Sequence, residues 1–168
     1  MKTMTTRYYS VSLAAVVGSL LTLGGCVSTG GGTTASAVDV SKAPAIAVGS
    51  DAITQRLNAV RAQYGAPPIS RSPKADQAAQ RHAQDMYANN FYDHHGSDGS
   101  THTKRLRRSG CKGGAENIAE GTWRDPNTVV EGWLSSPKHR QNILYPAVRN
   151  YGLAKSGTKW VMTLSAGC

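Results

Sequence analysis

The sequence predicts an α+β domain over residues 51–168, and three observations carry that reading. Apolar residues recur at helical spacing through most of this segment, and its last stretch switches to short strand-like runs. The preceding fifty residues hold no pattern of either kind that could build a core. A segment of about 118 residues is enough for one domain. Helices come first and a terminal hairpin last, which suggests helices packed on a small antiparallel sheet.

Asp51 is a candidate N-cap for a first helix. Ile53, Leu57, Val60 and Tyr64 follow it at steps of four, three and four, forming one apolar stripe. Gly65 can end that helix in the left-handed conformation, and Pro67-Pro68 block its continuation. Ser72-Pro73 restarts a helix with a cap and a first-turn proline, running to about Asn90. Its inner face is Ala75, Ala78 or Ala79, His82, Ala83 and Met86, small enough to lie close against a neighbour.

Phe91 to Thr103 is polar and rich in Gly, Ser and His, the composition of a loop. One helical turn is expected from Arg105-Leu106 to Ser109, then a short extended segment from Ala115 to Glu120. Asp125-Pro126 caps a further helix with Val129, Val130, Trp133 and Leu134 on its apolar side, and Ser136-Pro137 opens another through Leu144. Tyr151–Ala154 and Trp160–Leu164 read as strands joined by a turn at Ser156-Gly157.

The N-terminus reads as a targeting segment. Lys2 and Arg7 precede an apolar stretch from Val11 to Leu23, shorter than the roughly 20 residues a membrane-spanning helix needs. It ends in Leu23-Gly24-Gly25-Cys26, which resembles a bacterial lipoprotein signal: residues 1–25 would be removed and Cys26 acylated. Two or more acyl chains anchor stably where one does not. An ordinary secretory signal cleaved elsewhere is the alternative. Val27 is not the aspartate that resembles an inner-membrane retention signal, so the outer membrane is expected if the cell has two. Residues 26–50 would add a flexible Gly/Ser/Thr linker behind the acylated cysteine.

The chain carries 19 basic and 10 acidic residues, a formal charge of +9. Lys104, Arg105, Arg107, Arg108 and Lys112 concentrate this charge into an expected basic patch suited to anionic lipid or a cell-wall polymer, or else a solvated basic turn. No nucleic-acid motif accompanies it, so no nucleic acid is expected, and there is no P-loop, dinucleotide fingerprint or internal repeat. With Cys26 acylated, Cys111 and Cys168 remain. An even remainder in an exported protein fits a disulfide, which would pin the C-terminus to the loop before Glu116; two unpaired thiols are the alternative.

Four blocks in order carry a family resemblance: Leu57-Asn58-Ala59-Val60-Arg61; Phe91-Tyr92-Asp93-His94 with Asp98-Gly99-Ser100-Thr101; Ala115-Glu116-Asn117-Ile118-Ala119; and Trp133 through Leu144. Tyr151-Gly152 and Trp160 add a fifth. Together they resemble the bacterial branch of the CAP superfamily, the cysteine-rich secretory, antigen 5 and pathogenesis-related proteins. The resemblance implies a three-layer α-β-α sandwich with a small central antiparallel sheet and a cleft lined by two histidines and two glutamates. His94 matches the first histidine, Glu116 the first glutamate and His139 the second histidine, while Ser136 stands where the second glutamate would be.

Two imidazoles and a carboxylate suit Zn²⁺ or a similar divalent ion with positions left for water, and a metal-bound water could hydrolyse a substrate. Without metal, His94 could serve as a general base oriented by Glu116. No convincing nucleophile accompanies them, and catalytic residues stay unassigned. The expectation is therefore a tethered binding module whose cleft holds a divalent metal, lipid or wall ligand. The alternatives are a metal-assisted envelope hydrolase and a structural protein gripping anionic polymers through its basic loop.

Overall fold

A computed structural model describes residues 51–168; the expected leader, Cys26 and the linker lie outside the described residues. The elements run α1 (Asp51–Gln63), β1 (Ser70–Arg71), α2 (Pro73–Ala88), α3 (His102–Arg108), β2 (Gly114–Glu120), α4 (Pro126–Ser135), α5 (Pro137–Leu144), β3 (Asn150–Ser156) and β4 (Lys159–Ser165). Among them no helix is long and apolar enough to cross a membrane.

The sheet order is β1-β3-β4-β2. β3 and β4 form the expected antiparallel hairpin, with Tyr151 opposite Leu164 and Leu153 opposite Met162. β2 adds antiparallel to β4, placing Glu116 opposite Thr163 and Ile118 opposite Val161. The sheet is mixed rather than purely antiparallel, because β1 pairs parallel to β3. Two residues between a double proline and a helix are too few to leave a period in the sequence.

Side-chain alternation along the strands divides the core in two. Tyr151, Leu153, Trp160, Met162 and Leu164 face a layer built from Ile53, Leu57 and Val60 of α1, Val129, Val130, Trp133 and Leu134 of α4, and Ile143 of α5. The other face presents Ala154, Val161 and Ile118 to Ala79, Ala83 and Met86 of α2. Helices thus cover both faces, giving the expected α-β-α sandwich. Met162 and Leu164 are fully buried and contribute about 1.5–3 kcal/mol each. The alanine face of α2 meets Gly152, where a Cβ would fall 2.1 Å from the Ala75 carbonyl carbon, so helix and strand touch through backbone.

Local chemistry explains most boundaries. Pro73 and Pro126 open α2 and α4 where a missing N–H costs nothing, and the Asp125 carboxylate accepts from the Asn127 amide. α1 stops one residue before Tyr64, which is 60% exposed, so the apolar stripe ends at Val60. Gly65 then takes φ +67°, the left-handed conformation that ends the helix without strain. α3 begins at His102, earlier than expected, because the Thr101 hydroxyl caps the Lys104 amide. The hairpin turns at Gly157-Thr158, one residue later than expected. Cys111 and Cys168 form a disulfide, and the Lys112 amide bonds to the Gly167 carbonyl beside it at 2.6 Å.

Candidate functional site

β2 lies at the edge of the sheet, and its free carbonyls would be unpaired without partners. Side chains from three elements supply them. Asn142 of α5 donates to the Glu116 carbonyl, while Trp133 Nε1 of α4 and the Tyr92 hydroxyl both donate to Ile118. Asn117 donates to the His139 carbonyl and accepts from Asn142. The blocks around residues 92, 117, 133 and 142 thus act together, stitching one strand edge to its surroundings.

On the face towards α2, the Glu116 side chain is buried among charges. The Arg105 Nη2 group lies 3.0 Å from one carboxylate oxygen and 2.8 Å from the other. His94 Nδ1–H donates to Oε1 at 2.9 Å, and His82 Nε2 lies 3.7 Å away. Burial is the largest single influence on Glu116 and would raise its pKa. The imidazoles of His94 and His82 and the Arg105 guanidinium together outweigh it and hold the carboxyl below its ordinary value. The Glu116 bond in turn raises His94, whose side chain is 49% exposed. His82, with no exposed surface, is pushed down by burial. One half-exposed histidine, its pKa raised, therefore stands at the surface over a fully engaged carboxylate.

The structure brings His94 and Glu116 into direct contact but sets His139 apart. His94, Glu116, His102 and Asn142 line a hollow of about 360 Å³. His139 lines a neighbouring hollow of about 540 Å³ with Tyr92, Trp123, Trp133 and Ser136. Burial, with the charge on His94 second, lowers His139. Ser136 takes a role of its own, its hydroxyl 3.0 Å from His139 Nδ1. Among the described residues no three His, Cys, Asp or Glu side chains are grouped so that they could hold a metal ion, and the expected His94–Glu116–His139 ligand set is not assembled. The physical reason is that both Glu116 oxygens already serve Arg105 and His94.

The expected basic patch is also corrected. Arg105 is 7% exposed and works inside the molecule, donating to Glu116 and to the carbonyls of His94 and Ser100. Arg108 pairs with Asp98 at 2.6 Å. Lys104, Arg107 and Lys112 remain exposed, without the two central charges that would make them a continuous patch. Arg105, expected in the surface patch, is instead a residue of the buried site, and His102 lines the hollow beside His94. Arg105 sits within a run of cations, and only the fold distinguishes the one turned inward.

These elements define an α-β-α sandwich with a histidine–glutamate cleft along an edge strand. The chain belongs to the cysteine-rich secretory protein (CAP) family, whose model matches residues 54–162. It is 30% identical over 112 residues to the uncharacterized protein YkwD of Bacillus subtilis (strain 168), an alignment covering 64% of this chain and 43% of that protein. Its fold is similar to an extracellular protein containing an SCP domain from Bacillus anthracis, with a TM-score of 0.62 and 24% identity over 69% of this chain and 39% of that one. An outer surface protein from Borrelia burgdorferi is also similar, with a TM-score of 0.60 and 18% identity over 70% of this chain and 91% of that one. This chain thus spans less than half the length of YkwD and of the B. anthracis protein.

Proposed function

We propose that this is an exported, membrane-tethered lipoprotein whose CAP domain is a ligand-binding module, with an organic ligand of the cell envelope held along the β2 edge. The state of Glu116 carries the reading. With both oxygens committed to Arg105 and His94, it is neither a free general base nor an open metal ligand. Its effect is to raise the His94 pKa and hold that ring in place at the surface. In the hollow that His139 lines, the rings of Tyr92 and Trp123 are 48% and 39% exposed. Such a surface suits a ligand with a flat or apolar portion over the rings and an anionic or hydrogen-bond-accepting portion at His94.

Export agrees with the B. anthracis and B. burgdorferi relatives, an extracellular and an outer surface protein by name. The tether rests on Leu23-Gly24-Gly25-Cys26. The binding reading is tested by native mass spectrometry of the full chain incubated with envelope lipid and wall-fragment extracts. A bound mass is expected in the wild type and lost in His94→Ala and Trp123→Ala, with melting temperature unchanged in the exposed Trp123→Ala. Absence of any bound mass, or its persistence in both variants, would refute the site. Detergent-phase partitioning tests the tether: Cys26→Ser should move the protein to the aqueous phase, and unchanged partitioning would remove that part.

A further inference from the structure

Trp123 is exposed, yet it is held from two sides. Its carbonyl accepts from Lys155 Nζ, on a buried lysine, at 2.6 Å. Its ring lies against Gly121, where a Cβ would fall 2.7–2.8 Å from three ring carbons, so any side chain there would push the ring away. Tyr92 is tied through its hydroxyl to the Ile118 carbonyl at 3.1 Å. Both rings line the hollow of about 540 Å³, within the roughly 300–1,000 Å³ usual for small-ligand sites. Rings fixed before binding cost a ligand little ordering entropy.

The rest of the lining selects among ligands. Glu120 supplies a carboxylate, but the buried Lys159 already pairs with it at 2.6 Å and lies 5.6 Å over the Tyr92 ring. A cation on these aromatic faces would therefore meet an ammonium rather than an open negative charge. An anion finds neither lysine nor arginine in the lining. A purely apolar chain would strip water from Glu120, Thr128, Ser136 and His139 without replacing its hydrogen bonds. A neutral pyranose meets both demands. Its axial C–H bonds carry slight positive charge and suit the negative face of an aromatic ring, while its hydroxyls donate and accept around the edge. Lys159 and Thr158 both bond to Glu120 Oε1, leaving Oε2 of this half-exposed carboxylate to accept from a hydroxyl.

Resting on the reading of the β2 edge as a binding surface, we propose that this hollow takes a neutral sugar unit of an envelope glycan, stacked on Trp123 and hydrogen-bonded at Glu120. The test is a titration of the full chain with chitotriose and cellotriose, read by tryptophan fluorescence and calorimetry, with choline and octanoate as parallel arms. Saturable binding of a trisaccharide is expected. Gly132 lines the hollow, and a Cβ there meets nothing within 4 Å, so Gly132→Gln fills the space without disturbing the helix. Its melting temperature should be unchanged or higher, because glutamine favours the helix more than glycine does, while sugar affinity falls about tenfold. Gly121→Ala, which displaces the Trp123 ring, should weaken binding similarly, and Tyr64→Ala, at an exposed ring elsewhere, should leave it unchanged. No saturable binding of either sugar, saturation by choline or octanoate alone, or undiminished affinity in Gly132→Gln or Gly121→Ala would overturn the proposal. If envelope extracts then still yield a bound mass that Trp123→Ala loses, only the sugar assignment falls; if they yield none, the binding surface falls with it.

Discussion

Replacing Arg105 by methionine tests whether the buried charge network is organised as described. Methionine keeps much of the side-chain volume, so the loss is chiefly electrostatic. Arg105 is 7% exposed and Glu116 4%, so solvent screens their contact little. The substitution removes bonds to both Glu116 oxygens and to the carbonyls of His94 and Ser100, stranding a carboxylate inside the fold. Breaking one side of such a pair costs about 3–5 kcal/mol, a large share of the 5–15 kcal/mol that holds a domain together. The assay is urea unfolding at neutral pH with the disulfide intact. The sign of the pH dependence gives a second readout. In the wild type Glu116 is held below its ordinary 4.5, so its contribution is present above that value and fades as pH falls. Without Arg105, burial pushes the carboxyl up instead. The deficit of the variant should then shrink on acidification as the stranded group takes a proton, and Glu116→Gln added to Arg105→Met should recover part of the loss. A cost below about 1 kcal/mol at neutral pH, or a deficit independent of pH, would refute the reasoning.

The histidines give an opposite pair of pH effects. His94 is raised, so its contribution is complete below 6.5 and is lost as pH rises through its folded value, whereas lowered His82 and His139 destabilise the fold as pH falls below 6.5. Because His94 is half exposed, its share is under about 1 kcal/mol; His94→Ala should steepen the fall of melting temperature between pH 7 and 5, and an unchanged profile would count against the Glu116 bond. Gly152→Ala should cost about 1–3 kcal/mol or more, since the added Cβ meets the α2 backbone at 2.1 Å; thermal melting checks it, and a neutral result would mean that α2 can retreat freely. Reducing the Cys111–Cys168 bridge, which spans 57 residues, should cost roughly 4 kcal/mol in the chain-entropy account, read from urea midpoints of the oxidised protein and of Cys111→Ser/Cys168→Ser.

The elements legible in the sequence were those whose signal is local. The stripe Ile53, Leu57, Val60 and the proline starts at Pro73, Pro126 and Pro137 mark helices through local signals, and the structure keeps these helices, although neither Ser72 nor Ser136 makes the expected side-chain cap bond. β1 was not legible because a two-residue strand has no period, and its parallel pairing to Asn150 and Tyr151 is decided some eighty residues away. Arg61 shows the same limit from the core. It lies outside the apolar stripe of α1, yet it is fully buried and donates to the carbonyls of Pro67, Ile143 and Tyr145, fastening α1 to the end of α5.

The site divides along the same line. Glu116 and His94, marked by their motifs, do meet, whereas His139 lines a separate hollow and no three ligating side chains are grouped among the described residues. A carboxylate's availability depends on what else reaches it, and the group that reaches Glu116 lies in Lys104–Arg108, a run whose composition suggests a solvated surface. Once Arg105 turns inward, three consequences follow from one side chain. The carboxylate loses its free oxygens, the basic surface loses its centre, and the Nε of the same guanidinium is buried without a hydrogen-bond partner. A single inward-facing guanidinium thus links the fully engaged carboxylate to the interrupted basic surface.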